Sequence, residues 1–454
     1  MKRKEFKSGA CVVTASVLAT TILLTSCSDM GDILSAFTYT EGTTTVSEET
    51  TTAATSSETT TEMTTSETTV ATTSESSAET SEETKYTIPD QVLDAEEEIS
   101  SLTNVEGNVW VNEAEQYADI VKGFRKNIKD LQFEGSIVVA TDDEVIFASG
   151  NGLLDINGNV VTPYTRYEIS SVTRSCTAVC IMKLAEDGKL SLDATLGDFF
   201  PEYSNCANYS KTSKITVRNL LQMRSGIPDY LNEPIKFFDA ETGLNLTGEG
   251  KAMDERYREV YTSIQGKPFF ENMFSCSLNF EPDTKYEESN TNYYVLALII
   301  EKVTGKKYEQ YMDETIFKPC GMTNSTSMAE GDVTADLPKD TWLYLPVYTR
   351  GTADIHSNVT DILKFDRALF GGYILNEVSL AELLTPADKC ACGFMFDNNV
   401  AYQSGDTSAF HASHYVLERD GKRYYIVIFT TQGTGTKAEQ KLYSKVLPLF
   451  GAEE

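Results

Sequence analysis

The sequence predicts an α+β fold: an antiparallel sheet formed by both chain ends, flanked by helices, with a mostly helical lobe inserted. Three observations carry this expectation. Apolar runs with strand spacing occur at "EGSIVVATDDEVIFASGNGLLD" and again at "SHYVLERDGKRYYIVIFTTQ", at opposite ends of the globular sequence. Each run is broken by a short polar turn, Asp420-Gly421 in the second, which makes its two strands antiparallel neighbours. Between the two ends, apolar residues recur at helical spacing, so the middle is a helical lobe.

At the N-terminus, "MKRKEFK" followed by "SGACVVTASVLATTILLTSC" is a basic stretch leading into a short apolar one. Interrupted by Ser and Thr, it is too short for a comfortable membrane span and predicts a signal peptide over residues 1–26. Its end, Leu24-Thr25-Ser26-Cys27, resembles a bacterial lipobox, which implies lipidation at Cys27 and an extracytoplasmic, membrane-anchored chain. An ordinary signal peptide or an uncleaved anchor is the alternative.

From about Thr38 to Thr84 the chain is nearly all Thr, Ser, Glu and Ala. Such composition buries too little apolar surface to offset chain entropy, so residues 27–104 are expected to be a disordered stalk. Roughly 60 to 70 flexible residues give it a reach on the order of 45 Å. Its Ser/Thr density permits O-glycosylation.

A single globular domain is expected over residues 105–454. "NEAEQYADIVKGFRKNIKDL" predicts a helix, and the first strand pair follows it. "NYYVLALIIEKVTGKKYEQYMDETIF" and "VTDILKFDRALFGG" predict helices of the lobe. "KAEQKLYSKVLPLF" predicts a helix after the C-terminal hairpin. No internal repeat is evident.

The formal net charge is −30 and the isoelectric point is near 4.5, which argues against binding nucleic acid or an anionic membrane through charge. The expected membrane attachment is through the N-terminal lipid only. Seven cysteines follow Cys27, at 176, 180, 206, 276, 320, 390 and 392. An odd, scattered set does not form a disulfide framework, and neither Cys176/Cys180 nor Cys390/Cys392 has a matching second half for a metal. They are expected to be small buried apolar side chains.

Three segments carry chemistry: "YEISSVTRSCTAVCIMKLAEDGKLSLD", "LLQMRSGIPDY" and "YEESNTNYYVLALIIEKVTGKKYEQYM", followed by "IFKPCGMTNSTS". In that order they resemble the serine β-lactamase and D,D-peptidase superfamily, in its class C-like, penicillin-binding-protein-like branch. The resemblance covers essentially residues 110 to 450 and implies the β-lactamase/transpeptidase-like fold and acyl transfer through a serine. A serine hydroxyl needs a neighbouring base at neutral pH. Members of the family supply it from a Ser-x-x-Lys turn, a Tyr-x-Asn motif and a Lys- or His-(Thr/Ser)-Gly strand.

Carried over residue by residue, the nucleophile position is Ser171 and the lysine position is Arg174. The second motif falls on Glu288-Ser289-Asn290, with Glu288 in the tyrosine position and Asn290 retained. The third falls on Gln403-Ser404-Gly405, as a substrate-binding strand, with Asp406 next where the family contributes an oxyanion-hole N–H. Arginine does not lose its proton at physiological pH and Gln403 does not titrate. Glu288 beside Arg174 would be a weakened base. Arg174 and Glu288 are expected to form an ion pair, since either alone is costly when buried. The charge of Asp406 is expected to oppose an oxyanion.

The expectation is therefore a membrane-anchored member with lost or weakened chemistry, binding a peptidoglycan-like peptide or a protein partner in the old cleft. The alternative is a working serine hydrolase, of esterase or D,D-peptidase type, with Ser171 as nucleophile and Glu288 as base. A metal-dependent activity at His411 and His414 is a third reading; two histidines at a loop-to-strand boundary, with His356 structural, is the blander one. No cofactor and no metal are expected. A monomer is expected, although nothing in the sequence fixes the oligomeric state.

Overall fold

The computed structural model describes residues 87–153, 158–237, 267–327, 349–407, 410–432 and 437–450. The expected signal peptide, Cys27 and the stalk up to residue 86 lie outside these residues.

In chain order, helices α1 (Asp90–Leu93) and α2 (Ala95–Ser101) lead into strands β1 (Thr103–Glu106) and β2 (Val109–Val111). Helix α3 (Ala118–Leu131) precedes β3 (Gly135–Thr141) and β4 (Val145–Asn151). After β5 (Tyr167–Glu168) come α4 (Thr173–Glu186), a series of short helical turns, and α5 (Asn290–Thr304). Strands β6 (Thr326–Ser327) and β7 (Ile355–Ser357) lead to α6 (Val359–Phe370). Strands β8 (Met395–Asp397), β9 (Val400–Asp406), β10 (His411–Arg419) and β11 (Lys422–Thr430) then precede α7 (Ala438–Val446).

The main sheet has eight strands in the order β1-β2-β4-β3-β11-β10-β9-β8, antiparallel throughout. A second sheet of three strands runs β5-β7-β6. The α+β expectation thus holds: β3 from the first half pairs with β11 from the last, Val139 opposite Ile426. The β10–β11 hairpin turns at Asp420 and Gly421, both at positive φ, as a two-residue turn between twisted strands requires.

Every residue of β3 is buried, because helices cover both faces of the sheet. Alternate side chains go to opposite sides. Val138, Ala140, Val427 and Phe429 join the core shared with α4, α5 and α6. Ile137, Val139, Ile426 and Ile428 join a second core roofed by Phe124 of α3 and Leu442 and Val446 of α7.

Helices α1 and α2 lie ahead of residue 105, where the globular domain is expected to begin. Helix α2 packs into the shared core through fully buried Ala95 and Ile99. Its glutamates pair with buried cations of α6: Glu96 with Lys364 at 2.7 Å and Glu98 with Arg367 at 2.7 Å. Composition hid this helix pair because its apolar residues are few and its carboxylates read as stalk.

The cysteines expected to be small apolar side chains are free thiols, all buried except half-buried Cys206. His414 corrects the loop-boundary expectation. It lies inside β10, fully buried, with Nδ1 2.8 Å from Asp366 Oδ1 and Nε2 3.2 Å from Ser175 Oγ. Burial raises the Asp366 carboxyl above its ordinary range, and His414 pulls it partly back.

Candidate active site

Ser171 lies in a tight turn, Ser170–Val172, that runs directly into α4, a helix with buried residues on every side. Three anchors fix this turn. Ile169 N–H donates to Ile355 O of β7 at 3.1 Å, and Ile355 N–H donates to Thr173 Oγ1 at 3.2 Å. Ser170, held at a φ of 47°, donates its hydroxyl to Asp406 O of β9 at 2.9 Å. Strand β9 approaches so closely that a Cβ on Gly405 would lie 2.3 Å from Ser171 N. Only glycine permits that approach.

Arg174 follows one turn later, only 4 % exposed. Its Nη1 donates to Glu288 Oε1 at 2.6 Å, its Nη2 to Asn290 Oδ1 at 2.8 Å and its Nε to Thr352 Oγ1 at 3.4 Å. The expected ion pair is present, with Glu288 on the solvent side at 57 % exposure. Asn290, the first residue of α5, is consumed by the same network. Its Nδ2 donates to Asp229 Oδ2 at 2.8 Å, and its Oδ1 accepts a second bond, from Thr352 Oγ1 at 2.7 Å. With both lone pairs of Oδ1 and one N–H of Nδ2 engaged, this amide is committed largely to the interior.

Gln403 is likewise occupied, donating from Nε2 to Gly393 O at 3.2 Å and accepting from Ser404 N–H at 3.0 Å. Among the described residues, neither Ser171 Oγ nor Ser404 Oγ has a hydrogen-bond partner. Among the described residues, the nucleophile position thus has no base hydrogen-bonded to it.

Asp406 differs from its expected role. Its Oδ1 contacts Nδ1 of His411, whose Nε2 lies 2.8 Å from Glu439 Oε2. Burial alone would depress the His411 pKa, but Asp406 and Glu439 outweigh it and lift it to about 9. The imidazolium neutralises Asp406, so this carboxylate opposes an oxyanion less than a lone charge would. The histidines are thus tied to separate carboxylates, and no group of three or more ligands suited to a metal exists among the described residues. His356 lies in β7, 3.7 Å from Glu168.

A cleft of about 170 Å³ opens here, lined by Arg174, Glu288, Gln403 and Ser404 together with Met223, Tyr286, Tyr293, Cys390, Gly393, Met395 and Tyr402. Ser171 is not part of that wall. Of the residues expected from sequence, Arg174, Glu288, Gln403 and Ser404 lie on this wall, Asn290 is held behind it against Arg174, and Gly405 and Asp406 sit against the Ser170–Val172 turn that carries Ser171. Sequence reasoning missed Asp229, Thr352, Tyr286 and the thioethers. Asp229 and Met223 lie in "LLQMRSGIPDY" and Tyr286 opens "YEESN", whereas Met395 begins β8 and Thr352 lies in a turn, where no periodicity reveals a place at the site. Burial pushes the Cys390 thiol up to about 12, with Arg174 pulling the other way, so it is no ready nucleophile.

A serine opening a buried helix, set against a sheet strand and the first turn of a second helix, defines a penicillin-binding-type serine acyl-transfer fold. The chain belongs to the beta-lactamase family, whose model, described as Beta-lactamase, matches residues 124–446. Among curated proteins it is 32% identical over 193 residues to Protein flp of Staphylococcus aureus (strain MW2), covering 42% of this chain and 34% of that protein. It is 26% identical over 287 residues to the putative penicillin-binding protein PbpX of Bacillus subtilis (strain 168), covering 59% of this chain and 63% of that protein. The chain thus spans less than two thirds of either relative. A penicillin binding protein from Bacillus halodurans shares the fold at a TM-score of 0.56 and 20% identity, over 72% of this chain and 99% of that one. FmtA from Staphylococcus aureus does so at 0.55 and 17% identity, over 79% and 96%.

Proposed function

We propose that this family member is exported and lipid-anchored at Cys27, and that it has lost or weakened acyl-serine chemistry. Its cleft is retained for binding a peptidoglycan-like peptide or a protein partner. One observation carries this reading: among the described residues no base is hydrogen-bonded to Ser171 Oγ, while the guanidinium one turn away is locked to Glu288 at 2.6 Å. Arginine holds its proton, so it cannot activate the serine. Names such as penicillin-binding protein among its relatives support a cell-wall-type ligand.

Glu288 favours one second reading, a hydrolase in which it is the base. Its Oε2 has no partner among the described residues. One assay separates the two. The purified chain and its Ser171→Ala variant are exposed to a fluorescent penicillin and to activated esters. No Ser171-dependent labelling is expected, and labelling at a rate typical of active acyl-serine enzymes sinks the proposal. In the triple variant Arg174→Lys, Glu288→Tyr, Gln403→His, labelling is expected to rise by about 100-fold or more, the scale of a restored proton-transfer group.

A further inference from the structure

We propose that the cleft is a receptor for a primary ammonium group, an inference that rests on the binding role given above and names the chemistry of its ligand. The argument begins with which charges are still free. The cation in the lining, Arg174, is buried and satisfied by Glu288, Asn290 and Thr352. Gln403 has both ends of its amide engaged. Glu288 is the opposite case: it is 57 % exposed, spends Oε1 on Arg174 and has no partner for Oε2 among the described residues. The polar atom the cleft still offers a ligand is therefore an acceptor, on a carboxylate whose charge Arg174 balances from the buried side. Ser404 Oγ, also unpartnered, adds a second acceptor on the same lining.

The remaining walls suit a cation as well. Tyr286, Tyr293 and Tyr402 present aromatic rings, and Met223 and Met395 present polarizable sulfur. Ring faces attract ammonium and guanidinium groups, whereas carboxylates gain nothing from them. The molecule already uses this affinity. Arg174 Cζ lies 5.9 Å from the Tyr293 ring centroid, and the ammonium of Lys389 lies 5.9 Å from that of Tyr286. Lys389 is not among the residues that line the cleft, and its ammonium lies against the Tyr286 ring while Glu288 Oε2 has no partner among the described residues.

Size limits the ligand further. About 170 Å³ is well below the several hundred that a drug-sized molecule fills, so the cleft takes one terminus or one side chain. An ammonium on a short stem fits that space, which Glu288 and Ser404 both line. A peptide α-amine and a lysine-type side chain share this chemistry.

The test is a calorimetric titration of the purified full chain with phenethylamine, phenylacetamide and phenylacetate. These probes share one ring and differ in charge. Glycyl-tyrosinamide and N-acetyl-lysinamide then distinguish an α-amine source from a side-chain source, and saturable binding of either supports the inference. Phenethylamine is expected to bind at least tenfold more tightly than the neutral or acidic probe, and Glu288→Gln is expected to weaken it by at least tenfold. Tyr402→Leu, which leaves the ion pair intact, is expected to weaken it severalfold. Absence of saturable amine binding overturns the inference, as does equal or tighter binding of phenylacetate. Unchanged amine affinity in a folded Glu288→Gln chain overturns it too. Should that variant not fold, the comparison of charges on the parent chain decides by itself. The Ser171→Ala chain keeps the two proposals apart. Ser171-dependent acylation alongside amine preference in Ser171→Ala removes only the non-catalytic reading. Acid preference in a chain that is not acylated removes only this inference.

Discussion

Arg174 and Glu288 are unequal partners, and their inequality is measurable. Glu288 removed leaves a guanidinium 4 % exposed with only neutral partners, whereas Arg174 removed leaves a carboxylate that water already reaches. Glu288→Ala is therefore expected to destabilise the fold by about 2 kcal/mol, and Arg174→Met by about 1 kcal/mol or less. Urea denaturation of the two variants checks the order; a larger loss in Arg174→Met contradicts it. His411 supplies a second test at this scale, set by the two carboxylates facing it, Asp406 and Glu439. Glu439 is itself held by Ser413 and Tyr415 hydroxyls at 2.6 Å each. The folded pKa of about 9 lies above the ordinary 6.5, so the stabilisation is complete below 6.5 and is lost as pH rises through 9. Its size is on the order of 3 kcal/mol. Denaturation midpoints measured from pH 6 to pH 10 should fall across this window, and His411→Gln should flatten the fall.

Among elements, the α1–α2 pair ahead of the sheet makes the sharpest claim. Lys364 and Arg367 are buried in α6, and α2 brings them Glu96 and Glu98. Chains starting at residue 105 lose both carboxylates. The nearby Asp361, 3.5 Å from Lys364, compensates only one of the two cations. Truncation to 105 is expected to destabilise the domain by several kcal/mol relative to a chain starting at residue 87. Equal denaturation midpoints for the two chains overturn that assignment. The same elements show what was legible in sequence. Strands β3, β4, β10 and β11 announced themselves because a sheet covered on both sides demands continuous apolar runs with turn residues between them. Helices α3, α5, α6 and α7 did so through their spacing. Helix α2 did not, since its hold is two ion pairs to α6, and charge pairing across 268 residues leaves no local pattern. The site was legible where chemistry dictates residue type, at Ser171, Arg174, Glu288 and Gln403. It was silent where a turn merely delivers a partner, as at Thr352.

For the whole molecule, the decisive feature is that the sheet and the lobe share one core. Val179 of α4, Leu296 of α5 and Ile362 of α6 belong to the same apolar cluster as Val138 of β3 and Val427 of β11. The strands that close this core come from opposite ends of the domain, so neither half can bury its apolar face without the other. Pairing β3 with β11 also closes a loop of nearly the whole domain before any contact rewards it. Unfolding should therefore be one cooperative event, although the chain is larger than most two-state domains. Trp110 lies on β2, near the sheet edge, while the far-ultraviolet signal is dominated by the helices. In a Trp342→Phe background, Trp110 fluorescence and helical circular dichroism are expected to report coincident denaturation midpoints. A helical signal that survives after Trp110 has been exposed would mean that the lobe holds a core of its own. The sheet would then be a separable platform, and Ser171, which is fixed by β7 and β9 together, would lose its setting before the lobe melts.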